Sequence, residues 1–330
     1  MPSAETTSDS RVVAVTGATG FVGRHVVDEL LRRGHRVRAL SRSRERWNVL
    51  PEGDITHVLG DVFDEQSMDR LAEGADAFIH LIGIRREQSG GVTFKRLHVD
   101  ATRAAIGAAT RGGVSRYIQM SALGTRPEAR SDYHKTKWAA EQLVRDSNLQ
   151  WTIMRPSVIL GPDGEFMDMA MGWARGEEPP KRFLPYFAKP IPMVGERVPD
   201  SADRSATVQP VSVRDVAAAF ASAIERDDAI GETYPVVGPQ PMTWPQLLVL
   251  VRDATPGANH KLQPFGIPAE IASAVALGFQ KIGLGSLLPF GPSEPLMAAE
   301  DNAGTPAKVS AHLGVTPEPF RETLSWCVAH

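Results

Sequence analysis

The chain has 330 residues, 42% hydrophobic and 23% charged, with a formal net charge of −3. That length can bury one large core or two smaller ones, and the charge balance gives no electrostatic ground for a nucleic-acid partner. The single cysteine, Cys327, excludes an internal disulfide framework and fits a reducing cytoplasm.

Residues 1–10 are polar and lack the apolar core of a signal peptide, so they read as a flexible tail. Val12-Val13-Ala14-Val15-Thr16 then reads as a strand that runs straight into Gly17-Ala18-Thr19-Gly20-Phe21-Val22-Gly23. Val22, Val26, Val27, Leu30 and Leu31 recur at helical spacing, with Gly34 as the expected C-cap. Strand, glycine turn and helix in that order make a phosphate-binding unit. The glycines let the backbone turn tightly against a pyrophosphate, and the helix N-terminus offers free N–H groups and a positive dipole end. The plainer alternative is a glycine-rich turn without a ligand.

Further strands are predicted at 36–40, 56–59, 77–82, 116–120 and 151–154, and helices at 64–73, 94–111 and 133–147. Gly74 and Gly112-Gly113 act as stops. This alternation predicts an α/β fold, a Rossmann-type doubly wound parallel sheet with helices on both faces. Residues 161–208 hold many Pro, Gly and Met and read as an irregular substrate-side region. A short strand running into a helix follows at 211–225, a strand at 234–237, and a helix at 244–252 opened by Thr243 as N-cap and stopped before Pro256. The expected organisation is a tail at 1–10 and a nucleotide-binding domain at 11–160, with a further contribution from about 208–240. A smaller substrate or cap region takes 161–207 and 241–330.

The most apolar stretch is 271–288, where Gln280 and Lys281 interrupt and Gly278, Gly283 and Gly285 weaken it. It falls short of the roughly 20 residues of a membrane span. It can be a buried helix, a lid over an apolar substrate or a surface-lying membrane helix, and the core or lid reading is preferred.

At the end of strand two, where an acidic residue often binds the ribose 2′-hydroxyl, the chain has Ser41-Arg42, then Arg44 and Arg46. A carboxylate repels a 2′-phosphate and a guanidinium grips it, so NADP(H) is expected over NAD(H), with Arg42 foremost and Arg24 and Arg44 as helpers. A solvated basic loop is the alternative. Asp61 and Val62 follow strand three; Asp61 is assigned to the adenine amino group and Asp64 to the cap of the next helix. Tyr133 and Lys137 are four apart and share a helix face. An ammonium beside a phenol lowers the phenol pKa from about 10 towards working pH, so Tyr133 can exchange a proton with a substrate oxygen as hydride moves. Ser121, at the end of strand five, is placed to orient a substrate carbonyl, and Lys135 faces away from Tyr133. His98 fits either a proton relay or a hydrogen-bonded structural role. The histidines and the lone cysteine form no metal-ligand pattern.

Taken together, these residues resemble the short-chain dehydrogenase/reductase superfamily, in its extended and atypical branches. The carriers are Thr16-Gly17-Ala18-Thr19-Gly20-Phe21-Val22-Gly23, Gly60-Asp61-Val62, Ser121, the Tyr133/Lys137 pair, Arg155-Pro156-Ser157-Val158-Ile159-Leu160-Gly161-Pro162 and Val211-Ser212-Val213-Arg214-Asp215-Val216-Ala217. Ser121-Ala122-Leu123-Gly124 and Tyr133-His134-Lys135-Thr136-Lys137-Trp138-Ala139-Ala140-Glu141 look most like the atypical group of the NADPH-binding accessory subunit of respiratory complex I and its bacterial stand-alone relatives. Yeast-type proteins linked to ubiquinone biosynthesis belong to that neighbourhood. The resemblance implies a tightly held NADP(H) lined also by Leu81, Ile82, Gly83, Pro156, Ser157 and Val158. It implies a monomer or homodimer, pairing through helices at 94–111 and 133–147. Many members carry an asparagine near His98 that supports a water-linked relay; its replacement here bears on the relay and not on hydride transfer.

The expected function is an NADP(H)-dependent oxidoreductase acting on a carbonyl or alcohol in an apolar, quinone- or lipid-like substrate. The apolar C-terminal region and Met167, Met169, Met171 and Trp173 motivate that substrate class. The complex I subunit is regarded as structural, so the first alternative is a non-catalytic NADPH-binding protein with respiratory-complex or peripheral membrane contacts. The second is a nucleotide-sugar epimerase or dehydratase, against which Ser41-Arg42 speaks. The expected location is cytoplasmic, or peripheral at the inner membrane face.

Overall fold

The computed structural model describes residues 10–190 and 204–329. The expected tail, but for Ser10, and residues 191–203 of the expected irregular region lie outside the described residues. The first half runs β1 (Val12–Thr16), α1 (Phe21–Arg32), β2 (Arg36–Ser41), β3 (Ile55–Leu59), α2 (Glu65–Ala72), β4 (Ala77–His80), α3 (Ala101–Arg111), β5 (Arg116–Met120), α4 (Asp132–Arg145) and β6 (Gln150–Pro156). The second half runs β7 (Ile159–Leu160), α5 (Glu165–Arg175), β8 (Leu184–Ala188), β9 (Thr207–Val208), β10 (Val211–Ser212), α6 (Val213–Glu225), β11 (Glu232–Val236), β12 (Met242–Thr243), α7 (Trp244–Ala254), β13 (Pro264–Pro268), α8 (Ala269–Lys281), α9 (Ser293–Ala298) and α10 (Phe320–Ala329).

Seven strands form one parallel sheet in the order β11-β6-β5-β4-β1-β2-β3. Strand β1 shows why its apolar run is continuous: Val13 and Val15 pack on the face covered by α1 and α6, and Ala14 packs on the face covered by α2 and α3. The chain winds outward from β1 through β2 and β3, then crosses back to β4. The carboxyl ends of β1 and β4 therefore flank the switch point where ligands bind in such sheets. Gly23 lets α1 sit down on the turn, since a Cβ there would lie 2.0 Å from the Gly17 carbonyl oxygen. Gly34 follows α1 with φ +83, and Gly74 and Gly113 also take positive φ after α2 and α3.

The structure departs from expectation in three places. Residues 161–208 are not irregular throughout, because they hold α5 and β8. Glycine and charge at the edges punctuate a helix whose Met167, Ala170 and Ala174 are buried, Met167 and Ala170 packing with Leu247 and Val251 of α7. The helix expected at 94–111 opens with a wide π-helical turn, Lys95–Asp100, and becomes α-helical only at Ala101. The stretch 271–288 is not a core helix. Ala269, Ala272 and Ala276 of α8 face inward, while Ile271 and Val275 are 56% and 44% exposed. Thr243 caps α7 as expected, with Gln246 completing a capping box. No helix among the described residues is long and apolar enough to cross a membrane.

Candidate active site

Gly17 has φ +74, and a Cβ there would meet the Ile82 nitrogen and Leu81 carbonyl carbon at 3.2 Å. The turn and the segment after β4 are thus in contact, and Leu81 N–H donates to the Thr16 carbonyl. A Cβ on Gly83 would lie 2.9 Å from Lys137 Nζ and 3.6 Å from the His98 ring. Ser121 N–H donates to Met154 and Leu123 N–H to Pro156, joining the segments after β5 and β6. The sequence-chosen positions 17–23, 81–83, 121, 137 and 156–158 therefore line one carboxyl edge. Ser157 Oγ ties that edge to the Asn302 carbonyl at 3.3 Å. A tight glycine cradle, closed to a Cβ at Gly23 and strained for one at Gly17, beside the bare first turn of α1, fits a bound dinucleotide. A separate open cleft lined by Asp28, Arg32, His35, Arg36 and Asp54 lies at the amino end of β2, away from this edge.

At the end of β2, Arg42 is exposed and has no ion-pair partner among the described residues. Arg44 is exposed with its guanidinium 5.8 Å from the Trp47 ring centroid. Arg24, expected as a helper, is instead held by Asp163. Ser41 is buried and its hydroxyl donates to the Ser43 carbonyl at 2.9 Å. Asp61 accepts from Phe63 N–H at 3.0 Å in a local turn, and Val62 is buried against the α2 side of the core. Asp64 caps α2 by accepting from Ser67 N–H at 3.2 Å.

Around Tyr133 the geometry is more specific. Its ring stands edge-on to His98 at 5.2 Å and to Phe94 at 5.8 Å. His98 is buried, with Nδ1 2.9 Å from Thr136 Oγ1 and Nε2 3.0 Å from the Ile84 carbonyl. Burial holds it well below the usual imidazole range, with the Lys137 charge adding to the effect. Lys137 is buried and donates to the Met120 carbonyl at 3.2 Å. Lys135 is exposed, as expected.

The surroundings of Tyr133 and Ser121 bear on their expected roles. Lys137 is not among the charges that act on the Tyr133 phenol. Burial pushes that phenol up to about 12, and the cation opposing the rise is Arg85. Ser121 does not hold its hydroxyl free for a carbonyl: Oγ donates to Glu141 Oε1 at 2.6 Å. Glu141 is fully buried and also accepts from Arg155 Nε at 2.8 Å and Nη2 at 2.6 Å. Sequence reasoning did not single out Glu141, Arg155 or Thr136, nor His80, which is fully buried with Nδ1 2.7 Å from Thr16 Oγ1. One sequence signal was available, because Tyr133, Lys137 and Glu141 recur every four residues on one face of α4.

Burial lowers Lys137 from 10.5 to about 8, while Glu141 pulls the other way. Between those values the unfolded chain still holds the proton that the folded chain has released. On this group alone, stability rises with pH across that window and is lost as pH falls through about 8. Lys137→Met should accordingly be more stable than the parent below pH 8, with the gap closing towards pH 10.5. Denaturant unfolding of both proteins across that range checks it; parallel pH curves would remove the buried ammonium as the cause.

Residues 17–168 match the NAD(P)H-binding family. Ceramide reductase of Caulobacter vibrioides is 40% identical over 158 residues, 47% of this chain and 49% of that protein. The mitochondrial NADH dehydrogenase [ubiquinone] 1 alpha subcomplex subunit 9 of Arabidopsis thaliana is 31% identical over 249 residues, 73% of this chain and 57% of its own length. The chain thus spans about half the length of these two relatives. A (4-alkanoyl-5-oxo-2,5-dihydrofuran-3-yl)methyl phosphate reductase of Streptomyces griseus is 31% identical with 70% of each chain covered. An NADPH-dependent quinone oxidoreductase of Escherichia coli, solved with NADPH, superposes with a TM-score of 0.70 at 18% identity, covering 95% of this chain and 98% of that one. At that identity the likeness shows the fold.

Fold, edge and matches define an NAD(P)-binding, oxidoreductase-like Rossmann protein. The chain belongs to the atypical short-chain dehydrogenases/reductases, near the group of the complex I accessory subunit.

Proposed function

We propose that the protein is an NADPH-dependent oxidoreductase that reduces a carbonyl, or oxidises an alcohol, in an apolar substrate. The observation that carries this reading is the convergence of Gly17, Gly83, Lys137 and the Tyr133 helix on one sheet edge. When bound there, NADPH supplies the hydride. The N–H groups of the glycine turn and of the first turn of α1 hold the pyrophosphate. Lys137, buried beside Gly83, places a positive charge at the ribose end of the site. Tyr133 gives its phenolic proton to the substrate oxygen in reduction and takes one in oxidation. Ser121 acts through Glu141, by keeping the strand-five end in place. His98 has a structural role, fastening Ile84 to Thr136.

Asp61 is assigned to the adenine, and Arg42, with Arg44, to the 2′-phosphate. A charge-assisted guanidinium contact is worth about 1.5–3 kcal/mol, so Arg42→Ala should weaken NADPH binding roughly 10–100-fold and leave NADH nearly unchanged. Nicotinamide fluorescence titration decides it, and an equal loss for both cofactors would reject the assignment. The domain reading goes with this: residues 11–160 and about 208–240 bind the nucleotide, and the remainder forms the substrate side. A monomer or homodimer, cytoplasmic or peripheral at the inner membrane face, accompanies it.

A second reading is a non-catalytic NADPH-binding protein that supports a respiratory or quinone-handling partner. It is favoured by the complex I subunit among the relatives. It requires tight NADPH binding with no turnover of any carbonyl.

A further inference from the structure

Eleven large apolar side chains are substantially exposed among the described residues, and seven of them fall between 265 and 287. Surface apolar residues scattered singly are ordinary; a cluster within one short segment is not. On α8, Ile271 and Val275 stand one turn apart on the outer face, opposite the alanines that seat the helix. Ile282 and Leu287, each 68% exposed, project from the turns that follow. Phe265, 55% exposed in the strand that leads into α8, packs its ring on Phe183 at 5.0 Å.

The charges around this patch select its partner. From 271 to 288 there is no carboxylate, and Lys281 is the only charge. Lys181 and Arg182, both exposed, adjoin Phe183. Glu270, at the other border, is paired with Arg130 at 2.6 Å. A two-fold contact between copies would set the same apolar, cation-bearing face against itself, with no acidic partner inside the segment. Projecting aliphatic side chains rimmed by cations instead match the headgroup layer of an anionic bilayer. Helix α8 has 13 residues and no helix among the described residues is long and apolar enough to cross, so the segment would lie in the interface plane.

The patch is fastened to the site. Arg130 adjoins Ser131, the N-cap of the helix that carries Tyr133. Arg86, in the loop after Gly83, donates to the Leu288 carbonyl at 3.0 Å. We propose that the face formed by Phe265, α8 and residues 282–287 docks in the headgroup layer of an anionic lipid bilayer and draws the substrate from its apolar phase. The substrate clause rests on the oxidoreductase reading above; the docking itself does not.

The test is flotation of the full chain with phosphatidylcholine vesicles containing phosphatidylglycerol, alongside size-exclusion chromatography and NADPH titration. The expected result is co-flotation that falls at least tenfold in the double variant Ile282→Ser with Leu287→Ser and falls with added salt or with Lys281→Glu. NADPH affinity should stay unchanged in all of them. No flotation of the parent, or flotation untouched by the double variant, overturns the docking. So does a parent dimer that the double variant converts to monomer, which would make the face a contact between copies. Loss of NADPH binding by the parent would instead remove the oxidoreductase reading, whatever the vesicles show.

Discussion

Tyr133→Phe is expected to lower turnover of an accepted carbonyl by about 10²–10⁴-fold, while NADPH affinity stays within about twofold. The substitution keeps the ring that packs edge-on against His98 and Phe94 and removes only the hydroxyl. The loss should therefore fall on proton transfer rather than on the fold. Direction matters as well. With the phenol pushed up to about 12, Tyr133 is protonated at neutral pH and suits reduction, in which it acts as the acid. Alcohol oxidation needs the phenolate, so its rate should climb with pH well above neutrality, whereas the reductive rate should not. Stopped-flow measurement of nicotinamide absorbance in both directions, for parent and variant, reads both effects. Turnover unchanged by the substitution would take Tyr133 out of the chemistry; no turnover by the parent, with NADPH still bound, would leave the non-catalytic reading.

Much of this site was legible because local chemistry dictates it. A β-branched strand, glycines three apart and a helical apolar stripe specify one local structure, with Gly17 at positive φ and Gly23 where a Cβ cannot fit. Asp64 and Thr243 could be named as caps because capping depends on residues only three positions away. What escaped depends on distance along the chain. Glu141 reads as one more charge on a polar helix until folding brings Ser121, 20 residues earlier, and Arg155, 14 residues later, onto its carboxylate. The α8 stretch escaped for another reason. Apolar content says that a segment must be covered but not by what, and only the inward alanines show that the large side chains face out. The basic loop after β2 was legible as a motif, yet Asp163, reached from far along the chain, takes Arg24 out of it.

Glu141→Ala should be the most destabilising single change in the site, by about 3–5 kcal/mol. Glu141 is fully buried, and its two oxygens satisfy the Ser121 hydroxyl and the Nε–Nη2 edge of the Arg155 guanidinium. Truncation removes that carboxylate and leaves Arg155 facing a hole with nothing of opposite charge. Arg155 keeps 22% of its side-chain surface exposed, so water can take up part of the deficit and the loss should fall towards the lower end. Glu141→Gln keeps the shape and one acceptor oxygen, so it should fall between the parent and Ala. Lys137 supplies a second readout. Glu141 favours its charged form, so removing the carboxylate should move the Lys137 pKa further below about 8 and extend the lower edge of its pH window downward, the upper edge staying near 10.5. Thermal unfolding should show a drop of about 4–7 °C for the Ala variant. A midpoint within about 2 °C of the parent would mean that Arg155 finds another partner and that Glu141 is not what holds the strand-five end beside Tyr133.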